Sequence, residues 1–235
     1  MQQVNLDGKW TVRQEGGDLS LPARVPGDVI SDLLKAKQIP DPFYRENERD
    51  VQWVGEADWT YERQFKVSAA LMRGERVVLQ CDGLDTFATV TVNGKRIATT
   101  DNMFRSFEWD VKSYLQVGTN TIQITFKSVN DYTRKVVRER ALHSQVGGGH
   151  PTAHPCFVRK EQCNFGWDWG IILVTCGIWR SIRLASISTG RLADLRIDQE
   201  HVGGKVSLGV EVGVEATTRK ALTVRTTLRL KGKVV

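Results

Sequence analysis

Apolar and polar residues alternate with a period of two along most of the chain, which predicts β-strands throughout. Trp10 and Val12 indicate a first strand, and residues 59–67 place aromatic and aliphatic side chains on one face. Arg63 shares that face, which indicates either an edge strand or a buried ion pair. The continuous apolar run at 77–79 is typical of a central strand, and further strands are expected over residues 121–126 and 178–184. The pattern therefore predicts an all-β fold.

One hairpin is predicted from the sequence in detail. The alternation that ends at Val92 meets Asn93-Gly94 and resumes at Ile97. Asn-Gly between two alternating runs favours a two-residue type I′ turn, because both turn positions must tolerate a positive φ angle.

Helical spacing occurs in two places. Asp28 can cap a short helix that we expect to run from Val29 to about Ala36. Residues 127–145 change period as well, and a short surface helix or an irregular segment would satisfy that pattern equally. Residues 39–48 are rich in proline and charge and predict an ordered loop, and the approach to Trp167 is predicted to be a long loop.

The composition changes near residues 186–190, which predicts a domain boundary. We expect a first domain over residues 1–188 and a second over 189–235. The second domain shows two long alternating strands, over 206–214 and 222–230. About three strands are available in this domain altogether. An immunoglobulin-like sandwich needs about seven, so these apolar faces would remain uncovered. We therefore expect the chain to be a fragment of a longer polypeptide.

The formal net charge is +6 over 235 residues, with basic and acidic residues interleaved almost everywhere. The densest basic run, residues 134–140, could bind nucleic acid, but a solvated surface explains it more simply. No run is apolar enough to span a membrane, and no signal peptide is visible at the start. We expect a cytoplasmic protein with no nucleic-acid or membrane partner.

Four cysteines in a chain of this length do not form a disulfide framework and predict free thiols. His150, His154, Cys156 and Cys163 are zinc-type ligands in one short stretch, but their spacing matches no closed zinc pattern. The glycine clusters at 147–149 and 203–204 lack the features of a phosphate loop. We therefore expect no metal and no cofactor.

The segment Trp167-Asp168-Trp169 places a carboxylate between two indoles, with a glycine on either side. Indole faces suit the apolar face of a sugar ring, and a carboxylate accepts hydrogen bonds from ring hydroxyls. Alternatively, both tryptophans could be core or corner residues, with Asp168 capping a turn.

Retaining hydrolysis of a glycosidic bond needs two carboxyl groups about 5–5.5 Å apart. Asp41, Glu46, Glu48 and Asp58 lie near aromatic residues in the sequence but are otherwise ordinary loop acids. They are weak candidates, and we expect no catalytic pair in this chain.

Taken in order, these motifs resemble the N-terminal part of β-mannosidases of glycoside hydrolase family 2. The resemblance covers about 180 residues. The matching blocks are Leu6-Asp7-Gly8-Lys9-Trp10, residues 25–34, Asp41-Pro42-Phe43-Tyr44-Arg45-Glu46-Asn47-Glu48, residues 52–54, 58–61, 83–86, 92–94 and 101–104, residues 159–164 with Phe165-Gly166-Trp167-Asp168-Trp169-Gly170, and residues 177–180.

The resemblance implies a jelly-roll, galactose-binding-like β-sandwich followed by an incomplete immunoglobulin-like sandwich. It also implies a retaining exo-β-mannosidase whose catalytic glutamates lie in a barrel domain absent here, so the fragment alone would be inactive. The implied partners are a β-mannoside and that barrel. Trp167 and Asp168 would contact the terminal mannose, and Trp169 would serve packing. A stand-alone carbohydrate-binding module is the alternative.

Overall fold

The computed structural model describes residues 2–140, 154–167 and 169–234. Contacts between residues divide the chain into two compact units, Met1–Ser186 and Ile187–Val235.

The described strands up to residue 187 include several that alternate between buried and exposed side chains, as the sequence pattern predicts. They are β1 (Gln2–Asn5), β2 (Gly8–Gln14), β3 (Ser20–Val25), β4 (Trp59–Val67), β5 (Arg76–Cys81), β6 (Phe87–Val92), β7 (Lys95–Thr99), β8 (Phe107–Asp110), β9 (Gly118–Lys127), β10 (Phe165–Trp167), β11 (Gly170–Ile172) and β12 (Ile182–Ile187). The α-helices are α1 (Val29–Lys35), α2 (Asn47–Asp50), α3 (Trp53–Glu56), α4 (Ala69–Met72) and α5 (Val129–Arg140). Three-residue 3-10 helices lie at Lys112–Tyr114, Pro155–Phe157 and Gln162–Asn164.

Two sheets enclose the core of the first unit. One has six strands in the order β3-β2-β4-β9-β6-β7, with every neighbouring pair antiparallel, and the other has the order β1-β12-β5-β8. Both sheets contribute to one hydrophobic core, for example Tyr61 and Ile124 from the first and Leu79 and Leu184 from the second. The all-β, sandwich-type fold class is confirmed.

The environment of Arg63 differs from both sequence-based interpretations. Strand β4 lies between β2 and β9, so it is not an edge strand. The guanidinium donates hydrogen bonds to the backbone carbonyls of Leu6 (2.5 Å) and Asp7 (2.7 Å). A cation on the core-facing side is therefore accommodated by main-chain oxygens at the start of β2, a long-range contact that the alternation cannot predict.

The predicted hairpin is confirmed. Strands β6 and β7 pair with Val92 opposite Lys95, and the turn residues Asn93 and Gly94 have φ angles of 49° and 76°. The Asn93 amide group also donates to the carbonyl of Tyr114 at 2.8 Å and accepts from the amide of Thr121 at 2.9 Å. The turn residue thus joins the hairpin to neighbouring segments.

Both helical predictions have clear outcomes. Helix α1 is capped by Asp28, whose carboxylate accepts from the amide of Ser31 at 3.1 Å. Of the two possibilities for residues 127–145, the structure has a helix, α5, through Arg140. The remainder of that stretch lies outside the described residues, as do Gly147-Gly148-Gly149.

One strand was missed, and two strand predictions were wrong in position or extent. Strand β1 was missed, because its four residues show almost no burial alternation. The strand expected from Ile178 begins at Ile182, since the residues before it form loop contacts such as that of the Ile178 carbonyl with the amide of Gly27. Only Arg229–Leu230 of the strand expected over 222–230 is formed.

The second unit contains a long hairpin of β13 (Gly190–Val202) and β14 (Lys205–Ala216), and a short hairpin of β15 (Arg229–Leu230) and β16 (Lys233–Val234). Within the described part of the chain, residues 221–228 pair with no other strand, so their alternating pattern produces no sheet. Among the described residues, none of the helices has the length and apolar character needed to cross a membrane.

Candidate functional site

Strands β10 and β11 form a short hairpin that carries the Trp-Asp-Trp segment. Phe165 pairs with Ile172 and Trp167 with Gly170, which leaves a two-residue connection at 168–169. Asp168, the central residue of the predicted sugar site, lies outside the described residues. The described hairpin stem ends at the pair Trp167 and Gly170.

Gly166 is required in this hairpin for two reasons. Its φ angle is +82°, in the region that side chains other than glycine rarely adopt. A Cβ atom built on it would lie 2.3 Å from Cγ1 of Ile172. The two strands can approach each other here only because residue 166 has no side chain.

Both described tryptophans of the segment are exposed. Trp167 is 49 % exposed and Trp169 is 82 % exposed. The alternative that the two indoles are core residues therefore does not describe this chain. The expectation that Trp169 serves packing stays a prediction.

The base of the hairpin is firmly packed. Phe165 is 1 % exposed and belongs to a small hydrophobic cluster with Val129, Val158 and Val174, against which Ile172 also packs. The aromatic residue that begins the segment is thus an anchor, and the exposed indoles follow two and four residues later.

A buried ion pair holds the segments on either side of the hairpin. The Lys160 ammonium group contacts the Asp85 carboxylate, and their side chains are 0 % and 4 % exposed. Lys160 also donates to the carbonyl of Thr175 at 3.0 Å, and the Thr175 hydroxyl donates to Asp28 at 2.7 Å. Residues before and after the hairpin are thereby joined to the sandwich by the same charged group.

Two side chains from the 46–52 segment contact β11. The amide of Ile172 donates to Oε1 of Glu48 at 2.6 Å, and Nε2 of Gln52 donates to the carbonyl of Ile172 at 2.9 Å. The sequence presents Glu48 only as a weak candidate for a catalytic acid, and it gives no sign of a functional role for Gln52. Neither pattern nor spacing reveals contacts across more than 100 residues.

Each weak acid candidate has a structural partner, which is near in sequence for Asp41 and Glu46 and remote for Glu48 and Asp58. Asp41 accepts from the amide of Phe43, Glu46 pairs with Arg49, and Glu48 binds Ile172 as described. Asp58 accepts from the Lys127 ammonium group at 2.5 Å and from the amide of Ser128 at 2.8 Å. These carboxylates stabilise turns and strand ends, which is the ordinary role of loop acids.

Further exposed aromatic residues lie in two loops of the same unit. Phe43, Tyr44 and Phe104 are 72 %, 56 % and 62 % exposed. The loop carrying Phe104 meets the segment before the hairpin, because the amide of Met103 donates to the carbonyl of Arg159.

The four cysteines are free thiols, as predicted. Burial raises the pKa of the Cys81 and Cys176 thiols above the ordinary value, which disfavours the reactive thiolate form of both. In the part of the chain that the structure describes, His, Cys, Asp and Glu side chains form no cluster of three or more that could hold a metal ion. His150 lies outside that part.

The basic run on α5 is partly neutralised by neighbouring acids. The Arg134 guanidinium contacts the carboxylates of Glu56 and Asp131, and Lys135 lies 3.7 Å from Glu139. The hydrogen bond to Glu56 is the largest cause that raises the pKa of Arg134 above its ordinary value. This helix face is an interleaved charged surface.

Comparison with known proteins shows which family this architecture belongs to. A family model matches residues 10–180, and its description is "Glycosyl hydrolase 2 galactose-binding domain-like". β-Mannosidase B of Thermothelomyces thermophilus is 40 % identical over 99 % of this chain and 27 % of its own length. The β-mannosidase of Capra hircus is 36 % identical over 77 % of this chain and 21 % of its own.

Among solved structures, the β-D-mannosidase of Dictyoglomus thermophilum superimposes with a TM-score of 0.82 at 36 % identity, over 92 % of this chain and 26 % of that one. The chain thus spans about a quarter of the length of the relatives it matches. The sandwich with its indole-bearing hairpin, the family match over residues 10–180 and these similarities lead to one conclusion: the chain belongs to glycoside hydrolase family 2, through its galactose-binding-like domain.

Proposed function

We propose that this chain is the N-terminal part of a retaining exo-β-mannosidase and that its β10–β11 hairpin supplies Trp167 and Asp168 to the pocket for the terminal mannose. The observation that carries the proposal is a half-exposed Trp167 at the end of a hairpin whose base, Phe165, is buried. The similarity to three β-mannosidases supports the substrate class.

The chemistry of the segment suits a pyranoside. The Trp167 indole offers a flat apolar surface to the C–H face of the ring, and its N–H can donate to a hydroxyl. The Asp168 carboxylate accepts hydrogen bonds from ring hydroxyls, and such bonds strengthen as the ring distorts toward an oxocarbenium-like transition state.

The two carboxyl groups that perform the hydrolysis would come from another domain of the same polypeptide. The acids near the aromatic loops of this chain are engaged in turns and strand ends, which is consistent with a substrate-binding role for this part. We therefore expect residues 1–235 alone to be catalytically inactive.

The test is kinetic and uses the longer polypeptide that carries this chain. Asp168→Ala should lower kcat/KM on an aryl β-mannoside by about a hundredfold, roughly 2.7 kcal/mol of transition-state stabilisation. Asp18→Ala, at an exposed turn, is the matched control and should leave the rate unchanged. Near-normal activity of Asp168→Ala would refute the assignment of the hairpin.

The stand-alone carbohydrate-binding module is the second candidate. It is favoured by the exposed Trp167 and Trp169, because an indole platform can bind sugar without a hydrolase domain.

A further inference from the structure

Strand β11 has a hydrogen-bonding partner that is not a strand. The N–H group of Ile172 donates to Glu48 and its carbonyl accepts from Gln52, at 2.6 and 2.9 Å. The same Gln52 amide also donates to the carbonyl of Glu48 at 2.6 Å. One short helical segment therefore binds both backbone groups of a single hairpin residue, and we call this pair of side chains the Ile172 clamp.

The clamp supplies what the hairpin itself lacks. A two-stranded hairpin with three residues per strand is at best marginally stable alone. Ile172 lies opposite Phe165, while the next backbone bond between the two segments joins the amide of Leu173 to the carbonyl of Asn164. The side of β11 that faces away from β10 is therefore held by Glu48 and Gln52, as another strand would hold it.

The clamp also determines where the tip of the hairpin lies. Ile172 is two residues from Gly170, which pairs with Trp167. The Ile172 side chain fills the space beside Gly166, where a Cβ atom would lie 2.3 Å from it. A shift of Ile172 would therefore move both strands together, with the Trp167 indole at the end of β10.

Glu48 is suited to this role by its charge and its surroundings. A carboxylate that accepts from a backbone amide makes a charge-assisted hydrogen bond, which is stronger than a neutral one. Glu48 lies on α2, directly after the loop that carries the exposed Phe43 and Tyr44. Asn47 ties that loop together by donating to the carbonyl of Asp41 at 2.8 Å.

We propose that Glu48 and Gln52 are positioning residues for the sugar-binding hairpin, so that residues 46–52 fix the orientation of Trp167 toward the substrate. This inference rests on the proposed function for its enzymatic consequence. Its structural part, that the clamp orders the hairpin, stands on the hydrogen bonds alone.

Amide hydrogen exchange in residues 1–235 tests the structural part without any activity. Glu48→Ala should make the Ile172 amide exchange at least tenfold faster, because its acceptor is lost, whereas Glu48→Gln retains an acceptor oxygen and should stay within about threefold of the parent. Glu46→Ala is the matched control, since Glu46 lies in the same segment and, among the described residues, its side chain pairs with the exposed Arg49 alone. Amides of β4 and β9 should be unchanged in all three variants.

Kinetics of the longer polypeptide test the enzymatic part. On an aryl β-mannoside, Glu48→Ala should raise KM about threefold and lower kcat about threefold, a tenfold loss of kcat/KM. A loss of folded protein would lower kcat alone. Glu48→Gln should restore most of the activity, and Gln52→Glu, which replaces the donor by an acceptor, should resemble Glu48→Ala.

The outcomes separate this inference from the proposed function. Unchanged exchange of Ile172 in Glu48→Ala overturns the clamp whatever the enzyme does. Equal activity of Glu48→Ala and the parent, when Asp168→Ala is impaired, overturns the positioning role and leaves the proposed function intact. Near-normal activity of Asp168→Ala refutes the proposed function, while faster exchange at Ile172 would still support the clamp.

Discussion

Asp32 shows how strongly the position of one residue can differ from what its type suggests. It lies on α1 but is only 5 % exposed, and it accepts hydrogen bonds from the amide of Arg24 at 3.0 Å and the hydroxyl of Tyr61 at 3.1 Å. Burial raises the pKa of Asp32 to about 6, and the nearby Asp28 adds to the rise. The two hydrogen bonds and the charge of Lys35 oppose it.

The raised pKa makes stability depend on pH in a defined direction. Because the folded chain binds the Asp32 proton more tightly than the unfolded chain, this residue stabilises the fold fully below about pH 4. That contribution is lost as pH rises through about 6. Asn at position 32 can still accept from the Arg24 amide and can donate to the Tyr61 oxygen, without a charge to desolvate.

We therefore expect Asp32→Asn to raise the free energy of unfolding at pH 8 by about 2 kcal/mol and to flatten its decline between pH 4 and 6. Urea unfolding followed at several pH values measures both effects. Asp18→Asn, at an exposed turn, should change neither. If Asp32→Asn were less stable than the parent at pH 8, the hydrogen bonds of the carboxylate would stabilise the fold by more than its desolvation destabilises it.

At the scale of single elements, the sequence predicts well wherever burial follows a simple period. Strands β4, β6 and β9, the Asn93-Gly94 turn and helix α1 are formed as expected, because each depends on local alternation, turn chemistry or a cap. The missed and misplaced elements, β1 and β12, depend on long-range partners instead. β1 pairs with β12, about 180 residues later.

The candidate site divides in the same way. The Trp-Asp-Trp segment was recognisable from residue types, and the exposure of Trp167 and Trp169 agrees with a binding surface. The residues that support the segment were not recognisable, because Glu48, Gln52 and Lys160 act through contacts that are remote in sequence. No pattern in the surrounding sequence predicts that a charged residue such as Lys160 is completely buried.

The Lys160–Asp85 pair joins the loop before β10 to the end of the loop after β5, and we expect it to be the most sensitive ionic contact near the hairpin. Lys160→Met would leave the Asp85 carboxylate buried without its partner, at a cost of about 3–5 kcal/mol. Urea unfolding of residues 1–235 measures this cost. Adding Asp85→Asn should recover part of it, since the uncompensated charge is then removed.

The neighbouring residue supplies the control for that experiment. Arg159 pairs with Asp101 at 2.9 Å, but their side chains are 64 % and 65 % exposed. Arg159→Met should therefore cost less than about 1 kcal/mol. Similar losses for Lys160→Met and Arg159→Met would mean that burial does not set the strength of this ion pair.

At the scale of the whole molecule, the two units differ in how they bury apolar surface. The first unit encloses a core with contributions from both sheets. In the second unit, apolar side chains of β13 and β14 are exposed, including Leu195 at 60 % and Val206 at 54 %. The exposed indoles of Trp167 and Trp169 both lie in the first unit.

A half-exposed indole covers one face of a sugar, whereas small-molecule sites commonly bury 70–90 % of the ligand surface. We therefore expect titration calorimetry of residues 1–235 with methyl β-mannoside to show no binding tighter than about 10 mM, corresponding to less than about 3 kcal/mol. Trp167→Ala should give the same trace. Binding below about 1 mM that disappears in Trp167→Ala would favour the stand-alone module, because the hairpin would then bind the sugar without a second domain to close the pocket.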